Sequence, residues 1–335
     1  MYPLIFNMAK SYLSIYVLGY MAVYLYLYFT AVLRSFGNTV VQAVAMLVST
    51  VFNAVLDPIF ISRIGFHGAA IATLTSQILC LIFMCIYILK KKIFRFSLSD
   101  FNISEIMPLI KNAVPSVVQQ SIPAISTTFL TALVSTYGIS AIAGYGVTGK
   151  LETILFYPAM ALNMVLTSIV GQCVGGKRID RAKDYLRLAL KYGVFILIIL
   201  SELMIFFSEY LAGIFVASGT VAEIVHHYFV IISVGYVLYT ITSCYFGALN
   251  GMGKPTKSMV LMIFYYIIIR IPLAYIFSYL GIGLTGIWTA ILLSHIIACL
   301  ITVLSGTKVF LAFDRLKKST VEKDTESGKK YFLLF

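Results

Sequence analysis

The chain has 335 residues, of which 60% are hydrophobic and only 11% are charged, and its formal net charge is +12. About a quarter of the residues in a soluble domain are charged, so this chain has too little polar surface to cover a globule in water. The composition excludes soluble enzymes, nucleic-acid-binding proteins and disordered regulators. It predicts an all-α polytopic membrane protein whose surroundings are the lipid bilayer.

Nine apolar stretches are long enough to cross a bilayer, which takes about 20 helical residues. They lie, in chain order, at 11–33, 40–62, 66–89, 113–136, 147–172, 188–208, 224–248, 258–279 and 284–306. Two polar stretches, 90–112 and 173–191, separate some of these spans, and a polar tail follows residue 307. The tail contains the low-complexity run KKSTVEKDTESGKK, which predicts disorder.

The positive charges predict how the spans are oriented. Alternate loops and the tail hold 21 of the 25 Lys and Arg residues, whereas the opposite loops hold almost none. Basic residues concentrate on the cytoplasmic side of membrane proteins. We therefore expect a multi-pass protein of the cell (plasma) membrane with a cytoplasmic C-terminus. The net charge of +12 then reflects the orientation of the spans in the membrane and does not indicate nucleic-acid binding.

Motifs for catalysis and metal binding are missing from the sequence. The five cysteines are odd in number and show no CxxC or Cys/His spacing, so neither a disulfide framework nor a metal site is predicted. The sequence also has no HExxH, no phosphate-binding Gly-Lys-Ser/Thr loop and no nucleophile elbow. We expect no enzyme and no cofactor, so an ion gradient or an external partner would have to drive any transport.

Two parts of the chain resemble each other. AVLRSFGNT (31–39) and GFHGAAIATLTS (65–76) correspond to GALNGMGKP (247–255) and GLTGIWTAILLS (283–294). Each copy has a glycine turn, a span and a second glycine turn in the same orientation, which is typical of parallel repeats.

The offset between the copies, about 217 residues, predicts two six-helix lobes. In this interpretation about 113 residues, with room for three spans, precede the chain, which then contains about nine of twelve transmembrane helices. Residues 1–95 would form the second half of the N-terminal lobe and 96–310 the C-terminal lobe. Residues 311–335 would form the disordered cytoplasmic tail.

Asp57 is a candidate for ion binding. It lies in a predicted span, where a carboxylate is costly unless it is functional or paired. Asn53 lies four residues earlier on the same helical face, and Pro58 frees a backbone carbonyl in the preceding turn. These groups suit a proton or sodium site, and the alternative is that Asp57 caps the outer end of its helix.

Four polar residues of the second predicted lobe are candidates for a substrate cavity. Arg270 lies inside the eighth span and needs a partner, so structural pairing is the alternative to substrate contact. Glu152 opens the fifth span close to Lys150, and a helix-end ion pair is the alternative. Gln119 and Gln120 suit hydrogen bonds either to a substrate or between helices.

Several segments together resemble the MATE family, the multidrug and toxic compound extrusion antiporters. They are LRSFGNT (33–39), NAVLDPIFI (53–61), GFHGAAIAT (65–73), GYGVTGKLE (144–152), FYPAMAL (156–162), SIVGQCVGGKRIDRAK (168–183), GALNGMGKP (247–255) and IRIPLAY (269–275). The resemblance implies a two-lobe helical bundle of twelve spans around a central cavity. It also implies export of small amphipathic, often cationic, compounds by proton or sodium antiport, and we expect a monomer.

The resemblance further implies a cation site in the first lobe. In prokaryotic members this site uses an Asp on the first span, Asn and Asp on the fifth and Thr on the sixth. Asn53 and Asp57 match the fifth-span pair, and Thr73 matches the threonine, with Thr75 as its competitor. Another branch places carboxylates on the seventh and tenth spans, which have none here, so an acidic cation site in the second lobe is not expected.

Two alternatives to a multidrug antiporter remain at this point. A lipid-linked saccharide flippase of the same superfamily would need several cationic residues for the pyrophosphate, and here only Arg270 and Lys150 qualify. A non-transporting product of a truncated gene is the other alternative, because a lobe without half of its helices would leave polar groups that lipid cannot satisfy.

Overall fold

A computed structural model of the chain describes residues 2–92 and 103–332, without the side chains at 2–9, 11, 12, 18, 103–105 and 313–332. These residues form helices and no strand. The helices are α1 (Tyr2–Ser35), α2 (Thr39–Ile64), α3 (His67–Lys91), α4 (Ile103–Ser135), α5 (Ile139–Gly175), α6 (Ile179–Phe215), α7 (Gly219–Gly251), α8 (Pro255–Ile263), a π-helical segment (Phe264–Arg270), α9 (Ile271–Tyr279) and α10 (Gly283–Phe332).

Eight helical stretches among the described residues are long and apolar enough to cross a membrane. They follow the order of the second to ninth predicted spans, and the first predicted span, 11–33, lies within α1. The predicted all-α membrane fold is confirmed. The helices are longer than the apolar stretches. Helix α6, for example, begins at Ile179 and includes much of the basic stretch 173–191. Backbone hydrogen bonding continues the helix where the side chains turn polar.

The chain divides into two compact units, Met1–Asn102 and Ile103–Phe335, each of which is described by itself. The predicted boundary between 95 and 96 lies in the stretch 93–102, outside the described residues. The predicted tail, 311–335, lies mostly beyond the described side chains, and its disorder stays a prediction.

In the first unit, α1 and α2 both pack against α3. Their buried contacts include Leu33 of α1, Ala45 of α2, and Met84 and Ile88 of α3. Helix α2 buries few of its residues within this unit, namely Ala45 and Ser49. The first unit is therefore a three-helix arrangement in which α3 is the shared element.

In the second unit, α7 is the central helix and packs against α5, α6 and α10. The largest fully buried side chains of its main core cluster are Trp288, Tyr228, Tyr236 and Phe229. The bulk of the unit thus surrounds α7, and the charged residues considered below lie on elements that contact this core.

Helices α5 and α7 approach each other closely enough for side chains to hydrogen-bond across to backbone carbonyls. Asn163 Nδ2 donates to the carbonyl oxygen of Ser243 at 2.8 Å, and Thr167 Oγ1 donates to that of Gly247 at 3.2 Å. A Cβ atom on Gly247 would lie 2.4 Å from the carbonyl oxygen of Asn163. The contact therefore depends on a small residue at this position, as is common between membrane helices.

The four glycines at the turns of the sequence repeat all have positive φ angles. Gly37 and Gly253 have φ values of 77° and 69°, and Gly65 and Gly283 have 70° and 74°. The hydrogen bonds after α1 and α7 also correspond, because each of the first two glycines donates to the carbonyl three residues before it. Left-handed φ values favour glycine, which explains why the repeat is visible in the sequence as glycine spacing.

The span Pro255–Tyr279 is interrupted by the π-helical segment, in which backbone hydrogen bonds join residue i to i+5. Tyr265, Tyr266 and Arg270 of this segment are all buried. Because the wider turn brings residues five apart toward the same side, it places Arg270 next to Tyr265. This irregular turn positions the guanidinium discussed below.

Candidate functional site

Asn53, Asp57 and Thr73 form a hydrogen-bonded group, which we call the α2–α3 triad. Asn53 Nδ2 donates to Asp57 Oδ1 at 3.2 Å and to Thr73 Oγ1 at 3.4 Å. Thr73 Oγ1 in turn donates to the carbonyl of Ala69 at 3.0 Å. All three side chains are half-buried. The four-residue spacing on α2 and the packing of α3 thus bring the three predicted cation-site residues together.

The two threonines that compete from the sequence have different surroundings. Thr75 Oγ1 donates to the carbonyl of Ile71 in its own helix at 2.7 Å. Thr73 is the one that contacts Asn53. The structure therefore brings Thr73, and not Thr75, to Asp57 and Asn53.

Asp57 lies inside α2, which continues to Ile64, so it does not cap the helix end. Pro58 is also inside α2 and has no N–H. The carbonyl of Ala54 consequently lacks its usual helical partner. The triad combines a carboxylate, an amide and a hydroxyl, and Ala54 lies next to Asn53 in the same helix. These are the kinds of group that suit hard cations or a transferable proton.

Among the described residues no cluster of three or more His, Cys, Asp or Glu could hold a metal ion.

A cavity of about 410 Å³ lies in the second unit. Its walls come from α4, α5, α7, the π-helical segment and α10. Glu152 and Arg270 both line it, together with Lys150, His295, Tyr145 and Phe156. Two of the four predicted substrate-cavity residues therefore meet in one space.

Glu152 is held by two tyrosines of α7. Its Oε1 atom accepts hydrogen bonds from the hydroxyls of Tyr228 at 2.6 Å and Tyr236 at 2.8 Å. Because α5 begins at Ile139 rather than at the predicted 147, Glu152 lies inside the helix. The predicted alternative, a helix-end ion pair with Lys150, does not describe these contacts.

Arg270 is 8% exposed and is held by neutral groups. Its Nε donates to Ser294 Oγ at 2.9 Å, and its Nη2 donates to Tyr265 OH at 2.8 Å and to His295 Nε2 at 3.2 Å. The guanidinium carbon also lies 4.6 Å from the ring centre of Tyr266. In the described part of the chain Arg270 makes no ion pair.

His295 was not predicted from the sequence as a site residue. A guanidinium can only donate hydrogen bonds, so His295 Nε2 accepts from Arg270, and we assign the imidazole as neutral with its proton on Nδ1. That nitrogen faces Tyr265 OH. An ionisable residue inside an apolar run was the signal that could have identified His295. The tyrosine partners gave no such signal, because the chain has 23 tyrosines.

Gln119 and Gln120 are not among the residues that line the cavity. Gln119 is buried and joins three helices: its Nε2 donates to the carbonyl of Pro255 at 3.0 Å, and its Oε1 accepts from Asn250 Nδ2 at 3.2 Å. Gln120 is exposed in this unit. The contacts of Gln119 match the predicted alternative of hydrogen bonds between helices.

We expect Gln119→Ala to lower the free energy of unfolding by about 1–3 kcal/mol, because it leaves two buried polar groups without their partner. Gln120→Ala is the matched control, and its effect should stay within about 0.5 kcal/mol. Thermal unfolding of the two purified variants in detergent measures the difference. Equal shifts would contradict the structural role of Gln119.

These features define a class of protein: a multi-pass helical membrane protein with polar sites inside its spans. The sequence model of the MatE family matches residues 2–59 and 115–276. The chain belongs to the MatE family, whose members are membrane transporters of small organic compounds and not enzymes.

Individual relatives agree with this assignment. The "FAD transporter" of Shewanella oneidensis is 28% identical to this chain, with 80% of this chain and 62% of that protein covered. "Probable multidrug resistance protein YoeA" of Bacillus subtilis is 23% identical, with 81% and 62% covered. The chain thus spans 62% of the length of these curated relatives. An outward-facing multidrug resistance MATE family transporter of the MOP superfamily has a TM-score of 0.80 at 26% identity, covering 86% of this chain and 66% of that one.

Proposed function

We propose that this chain acts in ion-coupled efflux of small organic molecules across the plasma membrane, as a monomer with a cytoplasmic C-terminus. The α2–α3 triad would bind the coupling proton or sodium ion, and the cavity of the second unit would bind the substrate. The observation that carries the proposal is the hydrogen bonding of Asn53 to both Asp57 and Thr73 inside the membrane-spanning helices.

The triad suggests how ion binding changes the helices. The Asn53 amide nitrogen has two N–H bonds and donates to both Asp57 and Thr73. A cation or proton on Asp57 removes the negative charge that strengthens the first of these hydrogen bonds, so the hydrogen bond to Thr73 on α3 becomes relatively more important for the orientation of the amide. Ion binding would thereby alter the contact between α2 and α3, which is the kind of differential interaction that coupling requires.

The substrate class follows from the family and from the cavity. Relatives are named for multidrug resistance, and the Shewanella relative is named for FAD. The proposal therefore includes anionic as well as amphipathic cationic compounds. A lipid-linked saccharide flippase is supported less well, because Arg270 and Lys150 are the cavity's only Lys or Arg residues among those described, and a pyrophosphate favours several such donors.

Transport by reconstituted protein tests the proposal. The chain is inserted into liposomes, and uptake of the fluorescent cation ethidium is followed under a pH gradient, under a sodium gradient and without either. We expect uptake to depend on one gradient, which identifies the coupling ion. Uptake that is the same under all three conditions would contradict ion-coupled transport.

Thr73→Val should raise the ion concentration for half-maximal uptake by about tenfold, because it removes a hydroxyl from the triad and keeps the side-chain volume. Thr75→Val removes a hydroxyl that, among the described residues, hydrogen-bonds within its own helix, so it should leave this concentration nearly unchanged. The measurement is ion-titrated uptake into liposomes. A larger effect of Thr75→Val than of Thr73→Val would contradict the assignment of Thr73 to the ion site.

A further inference from the structure

We propose that the second unit has a docking surface for anionic phospholipids at the end where α5 and α7 finish and α6 begins. We call it the α6 basic surface, and its members are exposed Lys or Arg residues: Lys177, Arg178, Arg181, Lys254 and Lys257. The partner is a lipid of the surrounding bilayer with a negatively charged headgroup, such as phosphatidylglycerol. This inference goes beyond the proposed transport function and does not depend on it.

The α6 basic surface comes from two neighbouring turns, one between α5 and α6 and the other between α7 and α8. Ile179, directly after the first turn, and Met252, within the second, belong to one buried cluster. The helices that lead into the turns also approach closely, because a Cβ atom on Gly171 of α5 would lie 3.4 Å from the carbonyl oxygen of Gly251 of α7. Positive charges from distant parts of the chain are therefore concentrated at one end of this unit.

The charges of this surface are not balanced by the protein. None of the five basic side chains forms an ion pair or a hydrogen bond with a described residue. Residues 177–191 contain six Lys or Arg and two Asp, which leaves a net charge of +4, and one of the two, Asp184, pairs with Arg187 at 3.4 Å. A cluster of positive charges without counter-charges attracts anionic groups, and anionic lipid headgroups are the anions nearest to a membrane-spanning helix.

The backbone of Lys177 shows that a lysine is kept at a position that favours glycine. The turn after α5 and the turn after α7 have the same succession of backbone hydrogen bonds, which span four, three and five residues. The left-handed residue is Gly253, with φ 69°, in the turn after α7, but it is Lys177, with φ 56°, in the turn after α5. This conformation is unfavourable for a residue with a side chain. Such residues cluster at functional positions, and the ammonium group is what Lys177 adds to the surface.

An exposed apolar face of α6 continues from the basic surface, and it favours a lipid over a soluble anion. Tyr185, Leu188 and Tyr192 follow Arg181 at intervals of four, seven and eleven residues, so all four lie on one side of the helix. All four are exposed. A phospholipid has an anionic headgroup for Arg181 and acyl chains for the apolar residues that follow, whereas a soluble phosphate has only the charged part.

The length of α6 places the basic surface at the level of the lipid headgroups. Tyr185 and Tyr210 are both exposed and are 25 residues apart, which is about 37 Å along the helix. The hydrocarbon core of a bilayer is about 30 Å thick, and the bilayer with its headgroups is about 40–45 Å thick. The two tyrosines then lie in opposite headgroup layers, where tyrosine is enriched. Arg181 lies about 6 Å beyond Tyr185, within reach of the phosphates.

Two lipids with identical acyl chains test the inference. Native mass spectrometry of the full chain in an uncharged detergent measures its affinity for phosphatidylglycerol, which is anionic, and for phosphatidylcholine, which has no net charge. We expect phosphatidylglycerol to bind at least about tenfold more tightly. Raising the ammonium acetate concentration should reduce this difference, because dissolved ions screen exposed charges. Glycerol 3-phosphate, a charged group without acyl chains, is the third probe and should bind much more weakly than phosphatidylglycerol.

Three substitutions assign the preference to the α6 basic surface. Lys177→Gly, Arg178→Gln and Arg181→Gln each remove one charge, so each should weaken phosphatidylglycerol about fivefold and leave phosphatidylcholine unchanged. Lys177→Gly should also keep or raise the thermal unfolding midpoint, because glycine adopts the left-handed conformation readily. A loss of lipid affinity in this variant therefore does not come from a loss of folding. Arg63→Gln is the matched control, because Arg63 is an exposed arginine of α2 in the first unit, and it should alter neither affinity.

The inference is overturned if the two lipids bind the unsubstituted chain equally tightly, or if Arg63→Gln weakens phosphatidylglycerol as much as the three substitutions do. Equal affinity for glycerol 3-phosphate and phosphatidylglycerol would assign the surface to soluble anions and would overturn it as well. The measurement uses no gradient and no transported substrate. The expected lipid preference without transport would thus contradict the proposed function alone, and gradient-driven ethidium uptake without the lipid preference would contradict the docking surface alone.

Discussion

Replacing Asp57 by asparagine is expected to reduce gradient-driven uptake to the level of protein-free liposomes. The side chain keeps its size and can still accept from Asn53, but it can neither carry a negative charge nor take up a proton. If the α2–α3 triad binds the coupling ion, no other described member of the triad replaces this function, since Asn53 and Thr73 are neutral. The measurement is ethidium uptake under the gradient that supports transport by the unsubstituted chain.

Asp57→Glu is the control for this substitution, because it restores the carboxylate on a side chain one methylene longer. We expect it to recover part of the uptake and to change the ion concentration that supports it. The thermal unfolding midpoint of each variant is measured in parallel, so that loss of folding is recognised. Full uptake by the folded Asp57→Asn protein would remove Asp57 from the coupling mechanism.

Substituting alanine for Gly247 is expected to produce the largest loss of stability, about 3 kcal/mol or more. The new Cβ would lie 2.4 Å from the carbonyl oxygen of Asn163 and 2.9 Å from its Cα atom. These are backbone atoms, so no rotamer change relieves the overlap and α5 and α7 must move apart. The expected result is a strongly reduced unfolding midpoint or a loss of folded protein in detergent.

Gly213→Ala provides the comparison within α6. A Cβ at Gly213 meets no atom within 4 Å, and alanine favours a helix over glycine by about 0.5–1 kcal/mol. We therefore expect an unchanged or slightly higher midpoint for this variant. A similar loss at both positions would show that close packing of α5 on α7 is not what Gly247 provides.

The order of the membrane helices could be predicted from the sequence because apolar length is a strong and local signal. The ends of the helices could not. Helix α5 extends from Ile139 to Gly175, well beyond the apolar stretch 147–172, since backbone hydrogen bonding does not stop where hydropathy falls. The π-helical segment was also missed, because its residues, FYYIIIR, have the composition of any apolar span.

The polar sites were predictable to different degrees. Asn53 and Asp57 are four residues apart on one helix, so their contact follows from helical periodicity alone. Thr73 lies on another helix, and only the family resemblance selected it. The partners of Glu152 are 76 and 84 residues away in the chain, and no local pattern could identify them.

The π-helical segment Phe264–Arg270 also has a consequence for how such a span changes between homologous proteins. A deletion of one codon between Tyr265 and Arg270 would restore an ordinary α-helical turn and leave the following residues nearly in register, because a π-helical turn holds about one residue more than an α-helical turn. Tyr265 and Arg270 would then be four residues apart and would still lie on the same side of the helix. The span can thus gain or lose one residue at this point while Arg270 keeps its position at the cavity and the rest of the bundle keeps its sequence.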